Sequence, residues 1–220
     1  MHRFEHNIIA QNVIERGKEL YTTIKGKWNE VYFKNQNPIV LELACGKGEY
    51  TVGLGSYFPD KNFIGVDIKG DRIARGSKRA LEQNLANVAF LRTGIQYLDE
   101  FFKPNEIDEM WLIHPDPQPR DKEEKRRLTN DYFLNIYKNY LKNEGIFYLK
   151  TDSSFLFEYS LEKIQADPEF EILDFTRDLL QSPLENEYYQ IETHYGQLFQ
   201  KEGHTLHFLK AKHIKKASIS

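Results

Sequence analysis

Apolar runs alternate along this chain with segments whose apolar residues recur at helical spacing. Runs of strand length occur at residues 39–44, 62–67, 88–92, 107–113, 145–150, 170–175 and 204–210. Segments with helical spacing occur at residues 49–58, 71–86, 95–102, 129–141 and 153–164. This alternation predicts an α/β fold with a doubly wound, mostly parallel sheet of seven strands.

The first 37 residues are polar, and their few apolar positions fall mostly three, four or seven apart. This spacing predicts an amphipathic helix laid on the main domain, interrupted near Gly17 and ending near Gly26. We therefore predict an N-terminal helical extension at 1–37, a main domain at 38–212 and a basic tail at 213–220. Within the main domain, Thr129 is the expected N-cap of its helix.

The length, apolar content, charge and cysteine number of the chain limit the kinds of protein that it can be. A chain of 220 residues suits one α/β domain, and 40% apolar content supports a packed core. Since the net charge is −3, a polyanion would need a local basic patch such as residues 122–127, which could equally be a solvated surface. The single cysteine, Cys45, excludes an internal disulfide and a cysteine metal cluster, and we predict no metal site. Because no apolar run approaches ~20 residues, we expect a soluble, cytoplasmic protein.

A proline-rich loop follows the strand predicted at 107–113. Prolines at 115, 117 and 119 restrict the backbone and exclude both helix and sheet pairing, so Asp116 is held on a stiff segment. Open α/β sheets bind ligands at the carboxyl ends of their strands. Asp116 is therefore a candidate site residue, although a rigid connector whose aspartate caps the next helix would have the same pattern.

A glycine-containing turn, Gly46-Lys47-Gly48, follows the strand predicted at 39–44, and Asp67 ends the next strand about twenty residues later. Glycine lets the backbone approach a ligand, and an acid at this spacing can accept from ribose hydroxyls. Nicotinamide enzymes add a third glycine, which is missing here, whereas Glu42 suits the positively charged end of S-adenosyl-L-methionine. The motif thus favours S-adenosyl-L-methionine, and a turn without a ligand is the alternative.

Taken together, these motifs resemble those of the bacterial tRNA (guanine-N7)-methyltransferase family over about residues 27–212. The segments that carry the resemblance are Leu41-Glu42-Leu43-Ala44-Cys45-Gly46-Lys47-Gly48, Pro59-Asp60-Lys61-Asn62-Phe63-Ile64-Gly65-Val66-Asp67, Leu85-Ala86-Asn87-Val88, Pro115-Asp116-Pro117, Lys125-Arg126-Arg127-Leu128-Thr129 and Lys150-Thr151-Asp152. The first segment alone is weak evidence for this family, but the complete set of segments in this order is specific for it.

The resemblance implies a seven-stranded, Rossmann-like methyltransferase that moves a methyl group from S-adenosyl-L-methionine to N7 of guanine 46 in the variable loop of tRNA. Asp116 is the implied catalytic residue. The implied cofactor contacts are Glu42, Gly46, Gly48, Asp67, Gly94, Ile95 and Asp116. The expected tRNA contacts are Arg120, Arg126, Arg127, Asp152 and Thr193. The protein is expected to be a monomer or a homodimer without a membrane partner.

The chain departs from the family pattern at several positions. Gly94 stands where the family has an aspartate that binds the adenine amino group, so this contact is expected from the backbone near Ile95 or from Gln96. Two further departures, Gln118 and Gly196, replace a tryptophan and a glutamate of the substrate motifs, and Ala44 replaces a glycine.

Guanine N7 carries an in-plane lone pair and needs no deprotonation. The main requirement of the reaction is therefore that the attacking nitrogen, the methyl group and the sulfur lie along one line. Asp116 could stabilise the positive charge that forms on the base, or it could orient guanine by accepting from N1–H and the N2 amino group. Three other functions stay open at this stage: an exocyclic-amine N-methyltransferase, a nicotinamide oxidoreductase and a non-catalytic RNA-binding protein.

Overall fold

A computed structural model describes residues 3–184 and 205–215. The strands in this part of the chain are β1 (Val13–Ile14), β2 (Ile39–Leu43), β3 (Asn62–Asp67), β4 (Val88–Arg92), β5 (Ile107–Ile113), β6 (Leu141–Thr151), β7 (Phe170–Thr176) and β8 (His207–His213). They form one sheet in the order β1-β4-β3-β2-β5-β6-β8-β7. The pairs from β1 to β6 are parallel, whereas β8 is antiparallel to both β6 and β7.

This sheet confirms the predicted doubly wound α/β class, but the described residues contribute eight strands and not the expected seven. The additional strand lies in the segment predicted to be a helical extension, where Val13 pairs with Phe90 and Ile14 with Leu91. Both β1 residues are buried. A strand of two residues is too short to show a period of two, so its pairing with β4 could not be detected from the sequence pattern.

Helices cover both faces of the sheet. The α-helices are α1 (Arg3–Ile9), α2 (Glu19–Thr23), α3 (Glu49–Tyr57), α4 (Gly70–Glu82), α5 (Asp131–Tyr140) and α6 (Ser154–Ala166). A π-helix at Trp28–Phe33 and 3-10 helices at Ile95–Glu100, Asp121–Arg126 and Leu179–Gln181 complete the helical elements of the described residues. None of these helices is long and apolar enough to cross a membrane.

Aromatic side chains fill the core on the two faces. On the face covered by α3 and α4, Trp111 stacks on Tyr148 with ring centroids 3.9 Å apart. On the other face, Trp28 stacks on Phe102 and donates its indole N–H to the carbonyl of Phe101 at 3.0 Å. The fully buried side chain of Trp28 thereby anchors the π-helix to the segment that precedes β5. The boundaries proposed at residues 37 and 213 stay predictions.

The helix α5 begins one residue later than expected. Asn130 is the N-cap, and its side chain accepts from the backbone N–H of Phe133 at 3.1 Å. Thr129, the predicted cap, is buried, and its hydroxyl is hydrogen-bonded to that of Ser160 in α6. Threonine and asparagine both cap helices well, so their local preferences could not decide between adjacent positions.

Candidate functional site

The sheet order brings the predicted site residues to one edge. Five neighbouring parallel strands, β4-β3-β2-β5-β6, end at the same side of the sheet. At or just beyond their carboxyl ends lie, in the same order, Gly94, Asp67, Gly46, Asp116 and Asp152. Residues far apart in the chain therefore meet at the edge where open α/β sheets bind ligands.

The two glycines of the turn after β2 have different surroundings. Gly46 has φ +55°, and a Cβ at this position would meet no atom within 4 Å. Gly48 has φ +64°, and a Cβ there would lie 2.4 Å from the ring of Phe90. Gly46 thus leaves open space beside the backbone, whereas Gly48 permits close packing of α3 on β4.

Asp67, at the end of β3, is 8% exposed and holds the glycine turn. Its Oδ2 accepts from the backbone N–H of Gly46 at 2.8 Å, and its Oδ1 accepts from that of Lys69 at 2.8 Å. The backbone N–H of Thr93 also donates to the Asp67 carbonyl at 3.1 Å, which ties the end of β4 to the same point. The carboxylate is therefore fixed beside the open side of the turn.

Glu42 points from β2 toward the start of α3. Its Oε2 accepts from the backbone N–H of Thr51 at 2.6 Å and from the Thr51 hydroxyl. Burial raises the pKa of Glu42 to about 8, despite these hydrogen bonds from Thr51, which act in the opposite direction. At neutral pH the folded protein consequently favours the protonated side chain.

Gly94 and Ile95 follow β4, and Ile95, which begins a 3-10 helix, is 8% exposed. The exposed side chain of Gln96 folds back over Gly94. A Cβ on Gly94 would lie 2.6 Å from the Gln96 Oε1 atom and 2.8 Å from its Nε2 atom. The Gln96 carboxamide thus occupies the space in which a side chain at position 94 would begin.

The proline-rich loop after β5 leaves Asp116 exposed between buried Pro115 and exposed Pro117. The turn into it is tight, because His114 has φ +45° and Gln118 has φ +48°. Both are in the left-handed region that few non-glycine residues adopt. The loop backbone is therefore bent around Asp116 and does not continue the strand.

The basic residues of this loop are not equivalent. Arg120 and Arg126 are exposed, at 69% and 62% of their side chains, and both contact the Glu123 carboxylate, at 3.0 and 3.9 Å. Arg127, by contrast, is only 4% exposed.

The Arg127 guanidinium holds the loop in place. It lies 4.7 Å from the ring centroid of Phe155 and 4.6 Å from that of Tyr159, both in α6. Its Nε donates to the Gln118 carbonyl at 3.0 Å. The guanidinium of Arg127 is therefore buried in contacts within the protein, and its expected contact with tRNA stays a prediction.

Asp152 and Thr193 complete the set of predicted site residues. Asp152, just beyond β6, has 21% of its side chain exposed, and its Oδ1 lies 3.0 Å from the Nδ1 of His114. Thr193 lies outside the described residues, so its expected place beside the substrate stays a prediction.

Sequence reasoning missed three residues at this edge: His114, Thr51 and Lys150. The Lys150 ammonium donates to the Tyr50 hydroxyl at 2.8 Å, and burial lowers the pKa of Lys150 to about 7. His114 and Lys150 had a detectable signal, because each is a polar residue at the end of an apolar strand. Thr51 had none, since its link to Glu42 depends on how α3 packs on β2.

A larger and a smaller cavity lie at opposite ends of the strands. The larger, about 530 Å³, opens at the amino-terminal edge beside Ile39, Asp108 and Lys142. The smaller, about 80 Å³, lies at the carboxyl edge and is lined by Glu42, Ala44, Cys45, Gly46, Lys47, Glu49, Arg72, Ile113 and His114. Size favours the first cavity, but we assign the site to the second because it contains the glycine turn and adjoins the strand ends.

Solved structures of methyltransferases share the fold of this chain. The chain aligns with an antibiotic-related methyltransferase at a TM-score of 0.64 and 19% identity, covering 93% of this chain and 98% of that one. A 16S rRNA (adenine(1408)-N(1))-methyltransferase from Catenulisporales acidiphilia aligns at a TM-score of 0.57 and 12% identity, covering 88% and 93%. The chain therefore has the Rossmann-like fold of these methyltransferases.

Sequence comparison identifies the family within this class. A family model described as "Putative methyltransferase" matches residues 36–209. A protein of Cytophaga hutchinsonii named tRNA (guanine-N(7)-)-methyltransferase is 45% identical over 94% of both chains. A protein of Christiangramia forsetii with the same name is 46% identical over 96% of both. The chain therefore belongs to the tRNA (guanine-N(7)-)-methyltransferase family.

Proposed function

We propose that this enzyme transfers a methyl group from S-adenosyl-L-methionine to N7 of guanine 46 in the variable loop of cytoplasmic tRNA. The observation that carries the proposal is the location of Asp116, which is exposed on a bent loop beside the glycine turn and close in sequence to the exposed Arg120 and Arg126. Asp116 thus follows the strand next to β2 and its glycine turn, and it precedes exposed arginines that could bind a phosphate backbone.

The residues at the glycine turn fit the cofactor. Open space beside Gly46 admits a ligand against the backbone, and the fixed carboxylate of Asp67 has acceptor capacity for ribose hydroxyls. Bound S-adenosyl-L-methionine would supply the methyl group as an electrophile. Glu42 is hydrogen-bonded to Thr51 in the first turn of α3. We propose that this contact fixes the start of α3 beside the cleft.

The adenine end of the cofactor would lie near Gly94 and Ile95. Here Gln96 carries a carboxamide that both donates and accepts, and it already covers the position that a side chain of residue 94 would take. We propose that Gln96 supplies the polar contact to the adenine amino group, with the backbone near Ile95 beside it. Gly48 would act indirectly by letting α3 approach Phe90.

Asp116 would act on the base itself. Guanine N7 is an acceptor with an available lone pair, so the protein does not need a strong base to activate it. The Asp116 carboxylate would stabilise the positive charge that forms on the ring, or hold guanine through N1–H and the N2 amino group. In either role the flanking prolines limit the movement of Asp116 and so preserve its alignment.

The tRNA backbone would be bound by exposed arginines. Arg120 and Arg126 share one carboxylate, that of Glu123, and a phosphate could replace it as their partner. We propose that Arg127 instead positions the loop from its buried place against α6. Asp152, just beyond the end of β6, would contact the base.

A methyl-transfer assay tests this function. Wild-type protein is incubated with labelled S-adenosyl-L-methionine and unmodified tRNA, and the labelled nucleoside is identified. We expect 7-methylguanosine from the variable loop. If 7-methylguanosine is absent and the label is found on an exocyclic amine, the proposal is wrong.

A variant tests the role of Asp116. The Asp116→Asn variant should keep its fold and its cofactor affinity but lose ~10²–10³ in single-turnover rate. A near wild-type rate would contradict both roles of Asp116.

A further inference from the structure

The end of β5 is joined to the end of β6 by two contacts from His114. Its backbone N–H donates to the Lys150 carbonyl at 2.8 Å, and its imidazole Nδ1 lies 3.0 Å from Oδ1 of Asp152. The side chain of His114 is 8% exposed and that of Asp152 is 21% exposed. A largely buried ring is thus hydrogen-bonded to a carboxylate that reaches the surface.

The backbone of His114 is bent in a way that serves this contact. Its φ of +45° is in the left-handed region, where a residue with a large side chain is strained. If His114 continued the extended path of β5, successive side chains would alternate across the sheet. The bend redirects the imidazole toward the neighbouring strand, and the hydrogen bond to Lys150 holds it there.

His114 also lines the cleft that contains Glu42, Gly46 and Arg72. The same residue therefore borders the proposed cofactor cleft and contacts Asp152. A hydrogen bond to one oxygen fixes the rotation of a carboxylate, while the group keeps further acceptor positions for a donor on a bound base.

We propose that His114 is a positioning residue, which orients the Asp152 carboxylate toward the N–H groups of the base that is methylated. This inference rests on the proposed function and deepens it, because it identifies the residue that holds the Asp152 carboxylate in place on the substrate side.

Two substitutions at position 114 separate the hydrogen bond from the shape of the ring. Imidazole Nδ1 and the amide nitrogen of asparagine are the same number of bonds from Cα. Asparagine also tolerates the left-handed backbone. His114→Asn can therefore keep the donor and the backbone bend, whereas His114→Phe keeps a ring without a donor.

The test measures kcat and KM for tRNA in a double-mutant cycle. The variants are His114→Asn, His114→Phe, Asp152→Ala and the combination of the last two, and His114→Gly provides a second donor-free variant whose backbone accepts φ +45° without strain. Thermal unfolding and calorimetry with S-adenosylhomocysteine check the fold and the cofactor cleft of each variant.

We expect His114→Phe and His114→Gly to lower kcat/KM for tRNA about tenfold, as the loss of one hydrogen bond to a charged group does. His114→Asn should remain within about threefold of wild type. In the cycle, adding His114→Phe to Asp152→Ala should cost little more than Asp152→Ala alone.

Two results would overturn the proposal: an asparagine variant as poor as the phenylalanine and glycine variants, or losses that multiply in the double variant. The cycle is run on whichever nucleoside the wild-type enzyme labels. A product other than 7-methylguanosine would thus contradict the proposed function, while the cycle would still decide the role of His114.

Discussion

Gly46 and Asp67 are joined by a hydrogen bond of 2.8 Å from the backbone N–H of the glycine to Oδ2 of the aspartate. The bond connects the turn after β2 with the end of β3. The bond holds the Asp67 carboxylate next to the open space beside Gly46. A ligand would therefore bind to a preformed site.

Asp67→Ala should weaken S-adenosyl-L-methionine binding by ~1–3 kcal/mol, because the ribose hydroxyls and the Gly46 N–H lose their acceptor. Calorimetry gives the affinity directly. Asp60→Ala is the matched control, since it removes the same charge from an exposed residue before β3, at the opposite edge of the sheet. Equal affinity of a folded Asp67→Ala variant and wild type would exclude Asp67 from the cofactor site.

Alanine at the two glycines of the turn should affect stability and cofactor binding to different degrees. Gly48→Ala places a Cβ 2.4 Å from Phe90 on a left-handed backbone, so we expect a loss of ~2–4 kcal/mol in the free energy of unfolding. Gly46→Ala meets no atom and should cost only the ~1–2 kcal/mol of backbone strain. It should nevertheless weaken cofactor binding, because its methyl group enters the open space.

Denaturant unfolding and cofactor calorimetry on both glycine variants separate these effects. If the two variants lose the same stability and the same cofactor affinity, the different roles that we assign to Gly46 and Gly48 are wrong.

Stability should depend on pH through Glu42. Its pKa is about 8 in the folded protein, against 4.5 for an unperturbed glutamate, so between these values the folded state keeps a proton that the unfolded state has lost. The contribution of Glu42 to stability is therefore greatest below pH 4.5 and declines as the pH rises to about 8. The total change is on the order of a few kcal/mol.

Glu42→Gln should remove this decline, because the amide imitates the protonated carboxyl and does not titrate. The measurement is urea unfolding of wild type and variant at several values from pH 5 to about 8. The difference in stability should increasingly favour Glu42→Gln as the pH rises. A constant difference would mean that Glu42 is ionised in the folded protein over this range.

Arg126 and Arg127 should respond differently to alanine. Arg126→Ala should weaken tRNA binding and lower the slope of log affinity against log salt by about one, with no loss of stability. Arg127→Ala should lower the melting temperature, since it removes the guanidinium from Phe155 and Tyr159.

Filter binding at several salt concentrations and thermal unfolding distinguish the two arginines. An unchanged salt slope for Arg126→Ala would show that this residue does not contact phosphate. A stable Arg127→Ala variant would contradict the bracing role of Arg127.

The sequence pattern was sufficient for the main elements. Strands β3, β4 and β5 have the predicted bounds, because apolar runs bounded by turn residues are local signals. The same signals placed Asp67 and Asp116 at strand ends, and motif order indicated the methyltransferase family that the comparisons support. Each of these conclusions depends on residues that are close in the chain.

Tertiary structure alone decided how individual side chains are used. Arg126 and Arg127 are adjacent and identical in type, yet one is exposed and the other is buried against α6. Likewise, the sequence placed Glu42 beside the glycine turn, but only the packing of α3 on β2 showed that its carboxyl group is hydrogen-bonded to Thr51. His114 and Asp152 are 38 residues apart and meet because β5 and β6 are neighbours in the sheet. Local periodicity determines which segments become strands and helices, whereas burial and hydrogen-bond partners depend on contacts between distant segments, which only the folded chain brings together.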